Sequence, residues 1–186
     1  MQLLAWPDHW PTSGPVVLRP WSDGDLAAVA DLARDPYVPL IGTVPAPYSA
    51  AEGRAYVARQ HQRLTDGAGW SFAVAERATD RAVGGAGLWL HADRPASAGY
   101  AIAPADRGRG LATAALVALT AFAWMRGLDR VELFVEPGNA ASRAVAVRAG
   151  YVFVERLAGH GLVGGQPRAL DRFVTQRAGP STTPGG

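Results

Sequence analysis

The segment that most constrains the fold is a glycine-rich connection between a predicted strand and an apolar helix. Residues 98–103 have the composition of a strand, residues 104–110 form a short loop, and Leu111–Met125 follows without a single charge. That uncharged run is shorter than the roughly 20 residues needed to cross a bilayer. The sequence therefore predicts a strand, a tight glycine loop and a buried helix in immediate succession.

Such a loop is a candidate anion site. A glycine-rich turn at a helix start exposes backbone N–H groups, and the helix dipole adds partial positive charge there. Arg107 and Arg109 add two full charges beside Gly108 and Gly110. The loop alone does not decide between a phosphate site and a merely tight connection.

Two common nucleotide-binding motifs do not fit this loop. A Rossmann fingerprint requires a third glycine where Thr113 stands, and a P-loop requires Gly-Lys-Ser/Thr. All 18 basic residues are arginine, so lysine Schiff bases and serine–lysine dyads are excluded as well. A small dinucleotide-binding domain stays a weaker alternative, because no convincing ribose-binding acid follows the second predicted strand.

Composition excludes several kinds of site and bears on where the protein is located and what it binds. The chain has no cysteine, which excludes disulfides, thiol nucleophiles and cysteine-built metal sites. The histidines at 9, 61, 91 and 160 are far apart, and no metal is expected. A net charge of +2 is too small to indicate nucleic-acid binding, and the N-terminus lacks the pattern of a secretory signal. We expect a cytoplasmic protein that binds neither nucleic acid nor membrane.

The chain is predicted to form one α/β domain over residues 1–177, followed by a disordered tail at 178–186 that is rich in Gly, Pro, Ser and Thr. Serine caps predict helices after Ser22 and Ser49, separated by an apolar loop at 35–48 that carries four prolines. Two more helices are expected at 111–125 and 139–149. Seven strands are expected at residues 16–21, 70–75, 82–91, 98–103, 131–135, 151–156 and 170–176.

Two separate motifs resemble those of a known family. The first is Arg/Gln-x-x-Gly-x-Gly/Ala, and the second is Asn-x-x-Ser/Ala, a hydrophobic residue, and a closing Gly-Phe/Tyr. They are met by Arg107, Gly110 and Ala112, and then by Asn139, Ser142, Val145, Gly150 and Tyr151. In order and spacing the chain resembles the GNAT N-acetyltransferase superfamily, and residues 99–113 are similar to its ribosomal-protein N-terminal acetyltransferase branch.

The resemblance implies a fold and a cofactor site. The implied fold is a mixed, mostly antiparallel seven-stranded sheet flanked by about four helices, splayed between its fourth and fifth strands with acetyl-CoA in the gap. Ile102 and Ala103 would pair with pantetheine, while Asn139 and Ser142 would flank the cofactor arm. The pyrophosphate would be held by Arg107, Gly108, Arg109, Gly110, Leu111, Ala112 and Thr113.

The implied reaction is acetyl transfer to a primary amine by direct attack in a ternary complex. A backbone N–H near Ile102 and Ala103 is the expected oxyanion donor. Ser142 is the candidate proton donor or sulfur partner, although its hydroxyl could instead satisfy a backbone group at the helix start. Glu136 is the candidate base, with a surface charge as the alternative. Ala146 stands where family members with a tyrosine acid carry that tyrosine.

The acceptor side is predicted from the first interhelix loop and from residues 159–168. Tyr37, Leu40, Ile41 and Tyr48 are the candidate substrate contacts. The sequence does not decide whether the acceptor is a protein N-terminus, a peptide or a small molecule. It also leaves open whether the protein is a monomer or a homodimer. A non-catalytic acyl-CoA-binding module is the rival function, and Ala146 favours it.

Overall fold

A computed structural model describes residues 4–178 of the chain. Its strands join in one sheet in the order β1-β2-β3-β4-β5-β6-β8-β7. The strands are β1 (Thr12–Ser13), β2 (Val16–Pro20), β3 (Gly69–Glu76), β4 (Ala82–Trp89), β5 (Ala96–Ile102), β6 (Arg130–Val135), β7 (Val152–Val163) and β8 (Gln166–Gln176). The helices are α1 (Leu26–Ala33), α2 (Val38–Ile41), α3 (Ala50–Thr65), α4 (Leu111–Met125) and α5 (Ala140–Arg148).

All seven predicted strands are present, and the two-residue β1 adds an eighth at one edge of the sheet. The last two strands are longer than predicted, because they continue into a hairpin that turns between Val163 and Gln166. Residues 179–186 of the predicted tail lie outside the described part of the chain. No helix in residues 4–178 combines the length and apolar character needed to span a membrane.

The proline-containing loop at 35–48 holds one helical turn that the sequence did not predict. Asp35 Oδ1 accepts hydrogen bonds from Tyr37 N at 2.7 Å and Val38 N at 2.9 Å, which satisfies the first donors of α2. Pro39 lies in the first turn, where its missing N–H costs no helical hydrogen bond. The turn places Tyr37 and Ile41 over the sheet.

The sheet opens where the fourth and fifth predicted strands meet, as expected. β5 and β6 are the one parallel pair among the described strands, and their register ends at Ala98 opposite Leu133. β5 nevertheless continues to Ile102 and β6 to Val135. The two strand ends therefore diverge, and the cleft between them opens toward α2, α5 and the loop before α4.

Two apolar cores cover the two faces of the sheet. On one face α4 packs through Leu119 and Phe122 against Phe72 of β3. On the other face α1 and α3 enclose Trp21 and Tyr56, whose rings meet edge to face at 5.3 Å. The cleft residues are thus carried on strands that are fixed from both sides.

The predicted helix start signals are confirmed. Ser49 Oγ accepts the Glu52 N–H at 3.1 Å at the start of α3, and Ser22 forms a capping box with Asp25 before α1. Inside β6, the Glu132 carboxylate accepts a hydrogen bond from Arg172 at 3.1 Å.

Candidate active site

The loop before α4 has the backbone conformation that its glycines allow. Gly108 has a φ of +78° and Gly110 a φ of +76°, in the left-handed region that L side chains rarely adopt. A Cβ built on either residue would meet nothing within 4 Å. Within the protein itself, the dihedral angle rather than lack of space therefore requires glycine at both positions.

The same loop presents a row of unused backbone donors. α4 begins without a side-chain cap. In the described part of the chain, no hydrogen bond uses the backbone N–H groups of residues 108–113. A helix start leaves such donors without intrahelical partners, and together with the helix dipole they favour a bound anion.

The two arginines of the loop are held by carboxylates. Arg107 donates to Asp35 at 2.6 Å and to the Ile102 carbonyl at 3.0 Å. Arg109 donates to Asp106 at 2.9 Å and pairs with Glu76. Because both guanidinium groups are about half exposed, they can brace the loop and still face solvent.

Asp106 fixes this loop to the sheet, and its charge should make the fold sensitive to acid. Arg81 donates to both Asp106 oxygens, at 2.6 and 3.0 Å, and these bonds hold the pKa of Asp106 below its ordinary value. A depressed pKa contributes stability that is present above about pH 4 and is lost as pH falls through the folded-state value. We expect Asp106→Asn to lower the free energy of unfolding by about 1–3 kcal/mol near neutral pH.

Urea unfolding at about pH 7 and about pH 3 tests this expectation, because the difference from wild type should shrink at the lower pH. Asp93→Asn, at an exposed turn, is the matched control and should change neither value. An Asp106→Asn deficit of the same size at both pH values would show that the carboxylate charge is not responsible.

A first cavity, of about 400 Å³, lies beside the loop, on the α5 side of the cleft. It is named the cofactor-side cavity, after the predicted cofactor residues that line it. The structure brings together here nine of the predicted cofactor residues, although they come from three separate segments. They are Ile102, Arg107, Gly108, Gly110, Leu111, Ala112, Thr113, Asn139 and Ser142. Of the predicted set, Ala103 and Arg109 do not line it.

The expectation for the Ala103 amide is corrected by the sheet. Ala103 N donates to Val83 O at 2.9 Å, so this N–H points toward β4 and away from the cleft. Backbone groups alternate sides along a strand, which turns the Ile102 N–H toward the opening instead. The candidate oxyanion or pantetheine donor at this strand end is therefore Ile102.

A second cavity, of about 350 Å³, continues from the first along the other face of β4 and β5. It is named the acceptor-side cavity, because the segments predicted to contact the acceptor line it. Tyr37 and Ile41 line both cavities. Leu40 lies outside them, half exposed, and its carbonyl accepts the Gly164 N–H of the β7–β8 hairpin at 3.0 Å. Tyr48 also lies outside them, since its hydroxyl donates to the Leu26 carbonyl at 3.1 Å. Leu40 and Tyr48, predicted to contact the substrate, therefore hold neighbouring segments of the chain together instead of lining a cavity.

Glycines and one indole ring form the floor of this second cavity. A Cβ on Gly87 or Gly99 would lie within 3 Å of the Trp89 ring, so the indole rests on bare backbone across β4 and β5. These glycines therefore allow the indole ring to approach the backbone of β4 and β5 closely. Residues 161–163 of the hairpin complete the wall, as predicted for that segment.

Three polar side chains meet where the cavities join. The Tyr37 hydroxyl lies near both the Glu136 carboxylate and the Asn139 amide. Burial raises the pKa of the Tyr37 hydroxyl well above its usual range, and the neighbouring Glu136 carboxylate raises it further. Tyr37 is accordingly a neutral donor at physiological pH. The candidate base, Glu136, is half-buried in the cavity wall beside it.

Ser142 lines both cavities one turn into α5. Its backbone N–H donates to Asn139 Oδ1 at 3.0 Å, so Asn139 supplies the side-chain cap of this helix. The Ser142 hydroxyl is not part of that cap. Ala146, at the position where a tyrosine acid would stand, is fully buried. Tyr100 lies in both cavities instead, and burial raises the pKa of its hydroxyl.

Three site residues were missed from the sequence: Arg63, Tyr100 and Arg148. Arg148 lines the cofactor-side cavity and follows Asn139, Ser142 and Val145 at intervals of three, a helical spacing that could have revealed it. Tyr100 lay inside the matched motif without being given a role. Arg63 carried no signal, because its place depends on how α3 packs on the sheet. The described residues contain no group of His, Cys, Asp or Glu side chains that could hold a metal ion.

The sheet opens between two parallel strands, with a loop of unused backbone donors on one side of the opening and a second cavity on the other. This is the arrangement expected of an acyltransferase. The sequence profile of the acetyltransferase (GNAT) domain matches residues 16–152. The chain belongs to the GNAT acetyltransferase family. A comparison with curated protein sequences gave no match.

Solved structures agree with this fold. A Vibrio cholerae protein described as a ribosomal-protein-serine acetyltransferase superimposes with a TM-score of 0.75 at 24% identity, covering 92% of this chain and 99% of that one. RimJ from Mycobacterium smegmatis, in complex with CoA-disulfide, also gives 0.75 at 24% identity, with 90% and 88% covered. The ribosomal-protein alpha-N-acetyltransferase RimL, in complex with coenzyme A, gives 0.73 at 19%, with 89% and 96% covered.

Proposed function

We propose that this protein transfers the acetyl group of acetyl-CoA to a primary amine within a ternary complex. The observation that carries the proposal is the junction of the two cavities. Tyr37, Asn139 and Ser142 belong to both of them, and Glu136 lies beside Tyr37 at that junction. An acyl donor in one cavity and an amine in the other would meet among these side chains.

The cofactor-side cavity suits the chemistry of coenzyme A. The unused N–H groups of residues 108–113 are donors for a pyrophosphate, and Ile102 offers a strand edge for an amide-containing arm. Arg148 on the rim is exposed and has no acidic partner among the described residues, which suits a further phosphate. Arg107 and Arg109 would keep the loop in its open conformation.

The reaction needs few groups from the protein. Acetyl-CoA supplies an activated acetyl group on a thiol of pKa about 8.5, which leaves as thiolate with little help. Glu136 would accept a proton from the attacking amine, and neutral Tyr37 would orient that carboxylate. The Ile102 N–H would stabilise charge on the acetyl oxygen. The N–C bond forms, the C–S bond breaks, and Ser142 would donate a hydrogen bond to the departing sulfur.

Ser142→Ala should lower kcat modestly, by less than about 100-fold, because a good leaving group needs little acid assistance. The Kd for acetyl-CoA and the melting temperature should stay constant, since the helix cap uses the Ser142 backbone rather than its hydroxyl. Asn139→Ala is the contrasting variant and should cost about 1 kcal/mol of stability through the lost cap. A Ser142→Ala protein with full kcat would remove the catalytic role of the hydroxyl.

The function is tested by following free-thiol release from acetyl-CoA across a panel of primary amines, peptides and protein N-termini. Amine-dependent release with acetylated product supports the proposal. Tight binding of acetyl-CoA without turnover on any amine would favour the rival, a non-catalytic acyl-CoA-binding module. The names of the structural relatives are the reason for including ribosomal-protein N-termini in the panel.

We propose a cytoplasmic enzyme that requires no metal, nucleic acid or membrane. Analytical sedimentation would test whether the enzyme forms a homodimer.

A further inference from the structure

One charge in the acceptor-side cavity has no counterpart. Arg63 of α3 lines this cavity and donates to Thr43 Oγ1 at 3.2 Å. Its guanidinium lies 5.6 Å from the centre of the Trp89 ring. Among the described residues, no carboxylate lies within ion-pair distance of the Arg63 guanidinium. Burial lowers the pKa of this guanidinium. A half-buried arginine is planar, fully charged and suited to a bidentate carboxylate or phosphate.

Glu136 is the other charged residue among the described side chains that line this cavity. The two lie at separate places along the sheet. The Trp89 ring, which faces Arg63, lies on Gly87 and Gly99, and these two glycines are in register across β4 and β5. One residue beyond the last paired position, Ala98 opposite Leu133, Gly99 is level with Phe134. Glu136 lies two residues further along the chain, which corresponds to roughly 7 Å of strand, on the neighbouring strand. The cavity therefore has an acidic end at the junction and a cationic end over Trp89.

We propose that the acceptor is an amine that also carries an anionic group, carboxylate or phosphate, which binds to Arg63 while the amine lies at Glu136. This rests on the proposed function, because it places the reacting amine at the junction of the cavities. This separation disfavours an ordinary α-amino acid, whose two charges are adjacent. It favours a short peptide with a free terminal or side-chain carboxylate, or an extended amino acid or amino phosphate.

The test compares acceptors that differ at one end only. Octylamine, the eight-carbon ω-amino carboxylate and the eight-carbon diamine share one chain length and end in a methyl, an anion and a cation. Tetraglycine and its C-terminal amide form a second matched pair. We expect KM to be about tenfold lower for each carboxylate than for its uncharged match, with the diamine poorest, which is the effect of one charged hydrogen-bonded contact.

Arg63→Met should remove this preference by raising KM for the carboxylates about tenfold while leaving octylamine unchanged. Arg59→Met is the matched control: Arg59 lies one turn earlier on α3, is exposed, and does not line the cavity. It removes the same charge and should keep the preference. If Arg63→Met does not fold, Arg63→Gln serves in its place.

Equal KM values within each wild-type pair would overturn the proposal, as would an Arg63 variant that weakens all acceptors alike. Calorimetric titration of tetraglycine and its amide into CoA-saturated protein separates this result from failure of the proposed function. If no amine is acetylated but tetraglycine still binds more tightly than its amide, the anion site stands and the transferase activity does not. If acetylation proceeds without any preference, the reverse holds.

Discussion

Gly110→Asp is expected to abolish coenzyme A binding in a protein that still folds. Gly110 has a φ of +76° and precedes the uncapped start of α4, where the backbone donors of residues 108–113 are unused. An aspartate would bring a negative charge into the place where these donors meet phosphate. Losing two or more charged hydrogen bonds should raise Kd by more than about 100-fold, measured by calorimetry.

Gly110→Asn is the matched control for this experiment. Asparagine tolerates the left-handed region about as well as aspartate and has the same shape, so the two variants carry the same backbone strain without the same charge. Asparagine should weaken binding much less than aspartate, and both should lose about 1 kcal/mol of stability. Unchanged affinity in a folded Gly110→Asp protein would remove the anion site from this loop.

Glu136→Gln should lower kcat by about 100-fold, the lower end of what a general base contributes. The side chain keeps its shape and its place beside Tyr37, so the Kd for acetyl-CoA should not change. Activity of the variant should recover in part at high pH, because the acceptor amine then loses its proton without help. Initial rates over a pH series, beside acetyl-CoA titrations, measure both effects.

Glu52→Gln provides the comparison, since Glu52 is an exposed glutamate in the first turn of α3, away from both cavities. It should behave as wild type. Tyr37→Phe should fall between the two, because it leaves the carboxylate but removes the neighbouring hydroxyl. If kcat of Glu136→Gln equals that of wild type, the glutamate is a cleft-wall charge, and the amine must lose its proton to water.

The parts of the site that follow from local rules were predictable. Gly108, Gly110 and the helix start of α4 are contiguous, so their donors, dihedral angles and dipole could be inferred without a tertiary structure. The opening between β5 and β6 followed from the resemblance. Tyr37 and Tyr48 had equal standing in the sequence, since both belong to one apolar loop; only packing sends Tyr48 to the Leu26 carbonyl and Tyr37 to the cleft.

The rest depends on contacts between distant segments. Arg107 meets Asp35 across 72 positions, and this pairing decides that the guanidinium braces the loop. The error at Ala103 has a similar origin: a strand's sequence does not say which of its amides face the next strand. Nothing in the sequence near Arg63 indicated that the Trp89 ring would lie beneath it. Nor did it indicate that no carboxylate would form an ion pair with it.

The shared wall between the cavities has a thermodynamic consequence. Tyr37, Asn139 and Ser142 contact whatever fills either side, so filling one cavity changes the surroundings that the other ligand meets. If that change alters the affinity for the second ligand by some factor, linkage requires the second to alter the affinity for the first by the same factor. Cooperativity between donor and acceptor would then need no moving domain, since the side chains that line both cavities would transmit it.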